Sequence, residues 1–248
     1  MNFRAALRIA GLLGLFAMIG PIHVVTKALL GRSPWPRRFL ATAARICGAR
    51  VRTEDEPLRS HTLLVANHTS WLDILLLAGA TDCAFVSKDN LGHGLLRWLA
   101  DQNATVYVKR GHVKGAKDQA TEIAKALEGP KPVALFPEGT TGPGTHLLAF
   151  RSTLLEAANF AAKDVEIRPV AIDYGAARAD FGWFGDEPGR DNVLRLLGRR
   201  QTFTVAVNLL DPLDRSLDRK QLTHAAREAI AERLGLTSGA QSPIAPSE

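Results

Sequence analysis

Along most of the chain, short β-branched and aliphatic runs alternate with longer stretches of helical periodicity. The runs Thr62–Ala66 (TLLVA), Cys83–Ser87, Thr105–Lys109, Val133–Phe136, Val165–Ile172 and Phe203–Leu209 predict strands. Helical spacing predicts helices near Trp71–Gly79, Leu91–Asp101, Lys114–Leu127, Arg151–Ala162 and Arg219–Leu234. Strands separated by helices in this way predict an α/β fold with a largely parallel sheet. Ligand sites in such sheets collect at the carboxyl ends of strands, which directs attention to the loops after Ala66, Val108 and Phe136. Residues 175–200, rich in Gly, aromatic and basic side chains, read as a membrane-facing loop with one short helix, and the tail from Thr237 reads as disordered.

The N-terminus follows another pattern. Eighteen uncharged residues, Ile9 to Thr26, lie between Arg8 and Lys27; as a helix they extend roughly 27 Å, just short of a hydrocarbon core. Pro21 and His23 interrupt the stretch, which weighs against a clean single span, and a signal-peptide cleavage site is lacking. After a break at Ser33–Pro36, residues 37–50 (RRFLATAARICGAR) place Phe39, Leu40, Ala43, Ala44 and Ile46 near helical spacing among arginines. Two helices embedded in one leaflet are expected. The chain thus divides into an anchoring segment over 1–52, a body over 53–236 and a tail over 237–248.

Charge sharpens this division. The formal net charge of +6 points first to nucleic acid, but residues 1–52 hold nine basic side chains and no Asp or Glu. The rest carries 22 basic against 25 acidic side chains, so the body is mildly acidic. Positive charge concentrated on an apolar segment points to an anionic membrane surface, not to nucleic acid. The two cysteines, Cys47 and Cys83, form neither a disulfide framework nor a zinc pattern.

Three loops carry candidate chemistry. After the first body strand comes Asn67-His68-Thr69-Ser70-Trp71-Leu72-Asp73. Residues five apart on a helix point about 140° away from each other, so His68 and Asp73 meet only if His68 lies in the loop and Asp73 in the first helical turn. The imidazole would then donate one N–H to the carboxylate and keep its other nitrogen as a general base. Equally, Ser70-x-x-Asp73 resembles a capping box, in which Asp73 merely supports a helix start. The second loop, Phe136 to Gly144 (FPEGTTGPG), has glycines that allow an anion-binding nest and a carboxylate, Glu138, able to accept hydroxyl hydrogen bonds. In the third, Arg110 leaves a strand end, where a guanidinium can clamp phosphate. Either of these two is also compatible with an ordinary surface loop.

Taken in order, these blocks resemble the glycerolipid acyltransferases of the lysophosphatidate acyltransferase type. The shared features are an NHxxxxD block at Asn67 to Asp73, an arginine block at Arg110, an FPEGT block at Phe136 to Thr140 and a proline-containing strand at 165–170. The resemblance implies a mixed α/β sheet flanked by helices, held on the cytoplasmic face of the cell membrane, monotopic or with one N-terminal span. It implies acyl transfer from acyl-CoA or acyl carrier protein to the free hydroxyl of a lysolipid, 1-acylglycerol 3-phosphate first, in phospholipid biosynthesis. By the same resemblance His68 deprotonates the hydroxyl and Asp73 orients it. Glu138, with Gly139 and Thr140, holds the acceptor, Arg110 binds its phosphate, and no metal or cofactor is required.

Two departures bear on the acceptor. The family's third block usually continues with arginine, here Thr141, and the acid that commonly precedes the second-block arginine is Lys109. A lost charge-assisted bond is worth about 1.5–3 kcal/mol. Lys109, Arg151 and Lys88 are candidates to replace the cation, and a phosphate-free acceptor such as lyso-ornithine lipid becomes the first alternative. Thioester hydrolysis is a further alternative, and a binding protein without turnover the non-enzymatic one. The sequence has no GxSxG elbow, GxxxxGK[ST] or GxGxxG, which disfavours acyl-serine and nucleotide chemistry.

Overall fold

The computed structural model describes residues 2–53, 58–88, 94–108, 113–162 and 164–236. The TLLVA run forms β2 (Thr62–Ala66), buried at all five positions. Leu64 and Ala66 point into one apolar cluster, and Leu63 and Val65 into another on the opposite face. This two-residue alternation is what a strand covered on both sides requires. Around it lie β1 (Ala49–Thr53), β3 (Ala84–Lys88), β4 (Val106–Val108), β5 (Val133–Leu135), β6 (Glu166–Asp173) and β7 (Phe203–Leu209). The order across the sheet is β1-β7-β6-β2-β5-β3-β4. Every pairing is parallel except β6 with β7, so the sheet is mixed and largely parallel, as expected.

Helices cover both faces. In chain order they are α1 (Phe3–Leu30), α2 (Trp35–Ile46), α3 (Leu72–Thr81), α4 (Leu95–Gln102), α5 (Val113–Leu127), α6 (Ser152–Leu155), α7 (Ala157–Phe160), α8 (Gly189–Leu197) and α9 (Arg219–Arg233). Side chains of α2, α3 and α8 share the cluster of Leu64 and Ala66, while α5, α6, α7 and α9 pack on the other face. The single helix expected over 151–162 is two short ones that divide at Glu156, whose carboxylate pairs with Arg219 of α9 at 2.9 Å. Residues 175–200 contain the short helix expected of them, but the segment is packed and not an open loop. A 3-10 turn (Gly175–Phe181) and α8 pack on the core with Phe181, Leu196 and Leu197 buried. Thr237 and the tail beyond it lie outside the described residues.

The N-terminal region differs from its sequence reading in two ways. Residues 49–53 form edge strand β1, paired in parallel with β7, with Ala49 buried and Arg50 and Arg52 exposed. A five-residue edge strand with alternating arginines blends into the basic segment before it. The apolar face of α2 is also used within the fold. Ala43 and Ala44 are buried, and at Gly79 of α3 a Cβ would come within 2.8 Å of the Ala41 Cα. Arg37 donates to the carbonyls of Gly79 and Ala80 near the end of α3. It thereby satisfies acceptors that a helix terminus leaves open.

α1 keeps an extensive apolar surface. It runs 28 residues through Pro21, long and apolar enough to cross a membrane by length and composition, with 17% of its apolar window buried. Phe3, Leu7, Leu13, Met18, Val25 and Leu29 are all more than half exposed. Its N-terminal end is tied down where Arg8 reaches the Leu197 carbonyl at the end of α8. Burying a Leu or Met side chain in an apolar medium is worth about 1.5–3 kcal/mol. Leu7→Lys with Met18→Lys is therefore expected to weaken flotation with anionic vesicles at least about tenfold, with the unfolding free energy within about 0.5 kcal/mol of wild type. Unchanged flotation would remove α1 as the membrane contact.

Candidate functional site

The sheet register brings the first two loops together. Val65 of β2 pairs with Leu135 of β5, so the residues three beyond each, His68 and Glu138, leave the sheet side by side. On the other flank Ala66 pairs with Val170 of β6, and Tyr174 follows the end of that strand. Asn67 joins the two strand ends. Its side-chain amide donates to the Ile172 carbonyl (3.1 Å), and its side-chain oxygen accepts from the Ile172 N–H (2.8 Å).

Asp73 lies in the first turn of α3, completely buried. Its Oδ2 accepts from His68 Nδ1 at 2.9 Å and from the backbone N–H groups of Thr69 (2.7 Å) and Ser70 (2.8 Å). Its Oδ1 accepts from the Tyr174 hydroxyl at 2.5 Å. The capping and orienting readings of Asp73 therefore coexist: one carboxylate supports the helix start and holds the imidazole. An ionised carboxylate only accepts, so Nδ1 carries the proton and Nε2 of the neutral ring keeps its lone pair. Nothing among the described residues bonds to Nε2, and the side chain retains 14% exposure. Phe136 stacks on the ring at 4.0 Å and 12°, and Phe85 continues the stack beyond Phe136 at 5.7 Å.

Glu138 sits beneath this loop. Its Oε1 accepts from the His68 N–H at 2.7 Å and its Oε2 from the Leu148 N–H at 2.9 Å. Burial pushes its carboxyl up to about 7 and Asp73 adds to the rise, against the two N–H donors and Arg227. Both carboxylate oxygens thus meet backbone of the site itself. The glycines of the turn are likewise engaged: the Gly139 N–H bonds to the Phe136 carbonyl and the Gly142 N–H to the His68 carbonyl. Thr140 is exposed. Thr141 donates its hydroxyl to the Trp183 carbonyl at 2.6 Å, and the Trp183 N–H reaches the Thr69 carbonyl, so the 182–187 segment clasps both loops. Arg195 and Asn192 brace that segment through Glu187, whose carboxyl the Arg195 guanidinium holds down at about 2. Gly144 permits the close packing: its φ is +78°, and a Cβ there would meet the Arg178 carbonyl at 2.7 Å.

Of the cations named from sequence, Arg151 lies along the turn, its Nε 3.2 Å from where a Cβ on Gly139 would sit. Lys109 and Arg110 lie outside the described residues, as does the Lys88 side chain. The sequence reading missed Tyr174, Phe136 as the ring under His68, and Trp183. Tyr174 carried no local signal: it follows β6, which lies beside β2 only once the sheet has formed. Among the described residues no group of three His, Cys, Asp or Glu is arranged to hold a metal ion. Both cysteines are buried, and burial raises their thiols to about 11 (Cys47) and about 12 (Cys83), so neither is a thiolate nucleophile.

A cavity of about 470 Å³ opens beside the stack, between α1, α2, α3, β3 and α4. Leu12, Phe16, Phe39, Leu75, Phe85 and Leu99 are among its walls. Trp71, three residues after His68, also lines it, and its indole N–H is buried with no acceptor among the described residues. His23 closes a polar corner, bonded to Ser33 at 2.8 Å and Gln102 at 3.0 Å.

With this geometry established, comparison with known proteins defines the class. The Acyltransferase family model matches residues 49–173, from β1 to the end of β6. A lyso-ornithine lipid O-acyltransferase of Pseudomonas aeruginosa is 34% identical over 92% of this chain and 93% of its own. A 1-acyl-sn-glycerol-3-phosphate acyltransferase of Neisseria gonorrhoeae is 30% identical over 39% of this chain and 38% of its own. The crystal structure of the 1-acyl-sn-glycerophosphate acyltransferase PlsC of Thermotoga maritima superposes with a TM-score of 0.61 at 19% identity, over 96% of this chain and all of that one. The chain belongs to the acyltransferase family, in the lysolipid O-acyltransferase group, and shares the PlsC fold.

The buried Glu138 generates a pH signature. Its folded value, about 7, lies above its ordinary 4.5, so on acidification the folded state takes up this proton first. Its contribution to stability therefore grows as pH falls from about 7 to about 4.5, by about 2–4 kcal/mol. Glu138→Gln is expected to remove that slope from urea unfolding measured across the interval. The same slope in both proteins would contradict the buried, proton-binding carboxyl.

Proposed function

We propose that the protein transfers a fatty acyl group from a thioester donor, acyl-CoA or acyl carrier protein, to the free hydroxyl of lyso-ornithine lipid. The observation that carries this acceptor is the likeness along nearly the whole chain to an enzyme of that name, against 39% coverage for the glycerophosphate enzyme of Neisseria. The site agrees with it. Where the family's phosphate-binding arginine would stand, Thr141 bonds to the Trp183 carbonyl. An ornithine head group has a carboxylate and an amine but no phosphate, and Arg151 supplies a cation at the same turn. The expectation of 1-acylglycerol 3-phosphate becomes the second reading, favoured by the four motif blocks and the shorter Neisseria match.

In this reading His68 Nε2 takes the proton of the acceptor hydroxyl as its oxygen attacks the thioester carbonyl. The C–O bond forms, the C–S bond breaks, and the imidazolium returns the proton to the departing thiolate. Asp73 stabilises the imidazolium while it exists. Glu138 acts on the acceptor indirectly, by fixing the loop that carries His68. The apolar cavity, within the 300–1,000 Å³ range of ligand pockets, takes the acyl chain. α1 holds the site at the membrane, on the cytoplasmic side where the thioester donors are found.

Purified protein in liposomes is expected to release CoA thiol from a long-chain acyl-CoA when lyso-ornithine lipid is supplied, with lysophosphatidate a poor acceptor. His68→Ala should lower that rate about 10²–10⁴-fold without releasing the protein from liposomes. Faster turnover with lysophosphatidate would move the protein to the second reading. Equal release without acceptor would make it a thioesterase.

A further inference from the structure

Three of the four donors to Asp73 come from the loop just before it; the fourth comes from just beyond β6. The Tyr174 hydroxyl meets Oδ1, the oxygen His68 does not use, at 2.5 Å. Its ring is 4% exposed and stacks on Phe181 at 4.6 Å, with Phe203 at 6.3 Å, so the hydroxyl has little freedom to leave. We propose that Tyr174 is a positioning residue that sets how strongly Asp73 draws on the His68 proton, and thereby the pH range in which His68 serves as base. The inference rests on reading His68 as the base and Asp73 as its partner.

The effect turns on where the carboxylate's charge goes. A donor on Oδ1 takes up part of it, leaving less on Oδ2 to favour the imidazolium. Without that donor the full charge bears on His68, which then stays protonated to higher pH. Burial and the Asp73 charge hold the Tyr174 phenol well above its ordinary range, so it remains a donor throughout. Other charged groups also face this cluster. Glu138, His146, Asp173 and Arg178 line the small space between His68 and Tyr174, Arg227 of α9 acts on Glu138, and Arg199 lies over Phe181 at 4.4 Å. Cys47, in the same apolar cluster, stays a neutral thiol. Ser70 also hydrogen-bonds to the phenol. Tyr174→Phe leaves every one of these side chains in place and removes a single oxygen.

The chain has only two tyrosines, and the other, Tyr107 on β4, bonds to Asp101. In a Tyr107→Phe background, biosynthetic 3-fluorotyrosine therefore enters at Tyr174 alone and makes its phenol a stronger donor. The experiment measures kcat/KM against pH in liposomes, with KM for acyl-CoA and for lyso-ornithine lipid. Tyr174→Phe is expected to move the acid limb up by about 0.5–1 pH unit, the equivalent of one hydrogen bond, with both KM values within about twofold. The fluorinated protein should move the limb the other way. Unmoved limbs in both proteins, with His68→Ala inactive, overturn the tyrosine's role alone. An active His68→Ala overturns the base assignment beneath it.

Discussion

The carboxylate of Asp73 is fully buried, and a buried charge persists only where donors replace the water it has lost. Here the donors are an imidazole, two backbone N–H groups and a phenol. They come from the loop after β2 and from the end of β6, so satisfying one charge fixes the start of α3, the rotation of His68 and the spacing of two strand ends together. Removing any donor leaves part of that charge uncompensated in a region of low dielectric. The site is accordingly built from the inside outward, with structural and chemical demands meeting at the same two oxygen atoms.

The parallel sheet makes this arrangement possible. Because β5, β2 and β6 run side by side in one direction, their carboxyl ends deliver Glu138, His68 and Tyr174 to a common edge. Glu138 then ties its loop to the His68 backbone, and the Trp183 segment closes over both. On the opposite side of the imidazole, the Phe136–Phe85 stack leads toward the apolar cavity. That cavity is walled partly by α1, the helix whose outer surface is apolar. His68, the apolar cavity and the exposed apolar surface of α1 thus lie in sequence along one side of the molecule, with the Phe136–Phe85 stack between the imidazole and the cavity.

Much of this was legible in the sequence because it is local. The alternation of β2, the helical repeats and the His68–Asp73 spacing each depend on residues within a few positions of one another, and local geometry limits what they can do. Strand β1 was not legible: its alternating arginines merge into a basic N-terminus, and only its pairing with β7, some 150 residues away, gives it meaning. Glu138 was found but its position was not, since a carboxylate in a glycine-rich turn reads as a ligand-facing group until the register sets it beneath His68. Tyr174 was missed for the related reason that β6 lies beside β2 only in three dimensions. Thr141 was legible as an absence, the missing arginine; its bond to Trp183 depends on a chain reversal that sequence does not encode locally.

Everything at the site depends on Asp73 fixing His68 in one tautomer, with the proton on Nδ1 and Nε2 free. Nitrogen-15 NMR of histidine-labelled protein at neutral pH reports this directly, the His68 signals being identified by their loss in His68→Ala. The account predicts a protonated Nδ1 and an unprotonated Nε2. A proton found on Nε2 would contradict it, because that nitrogen could then not accept the proton of an acceptor hydroxyl.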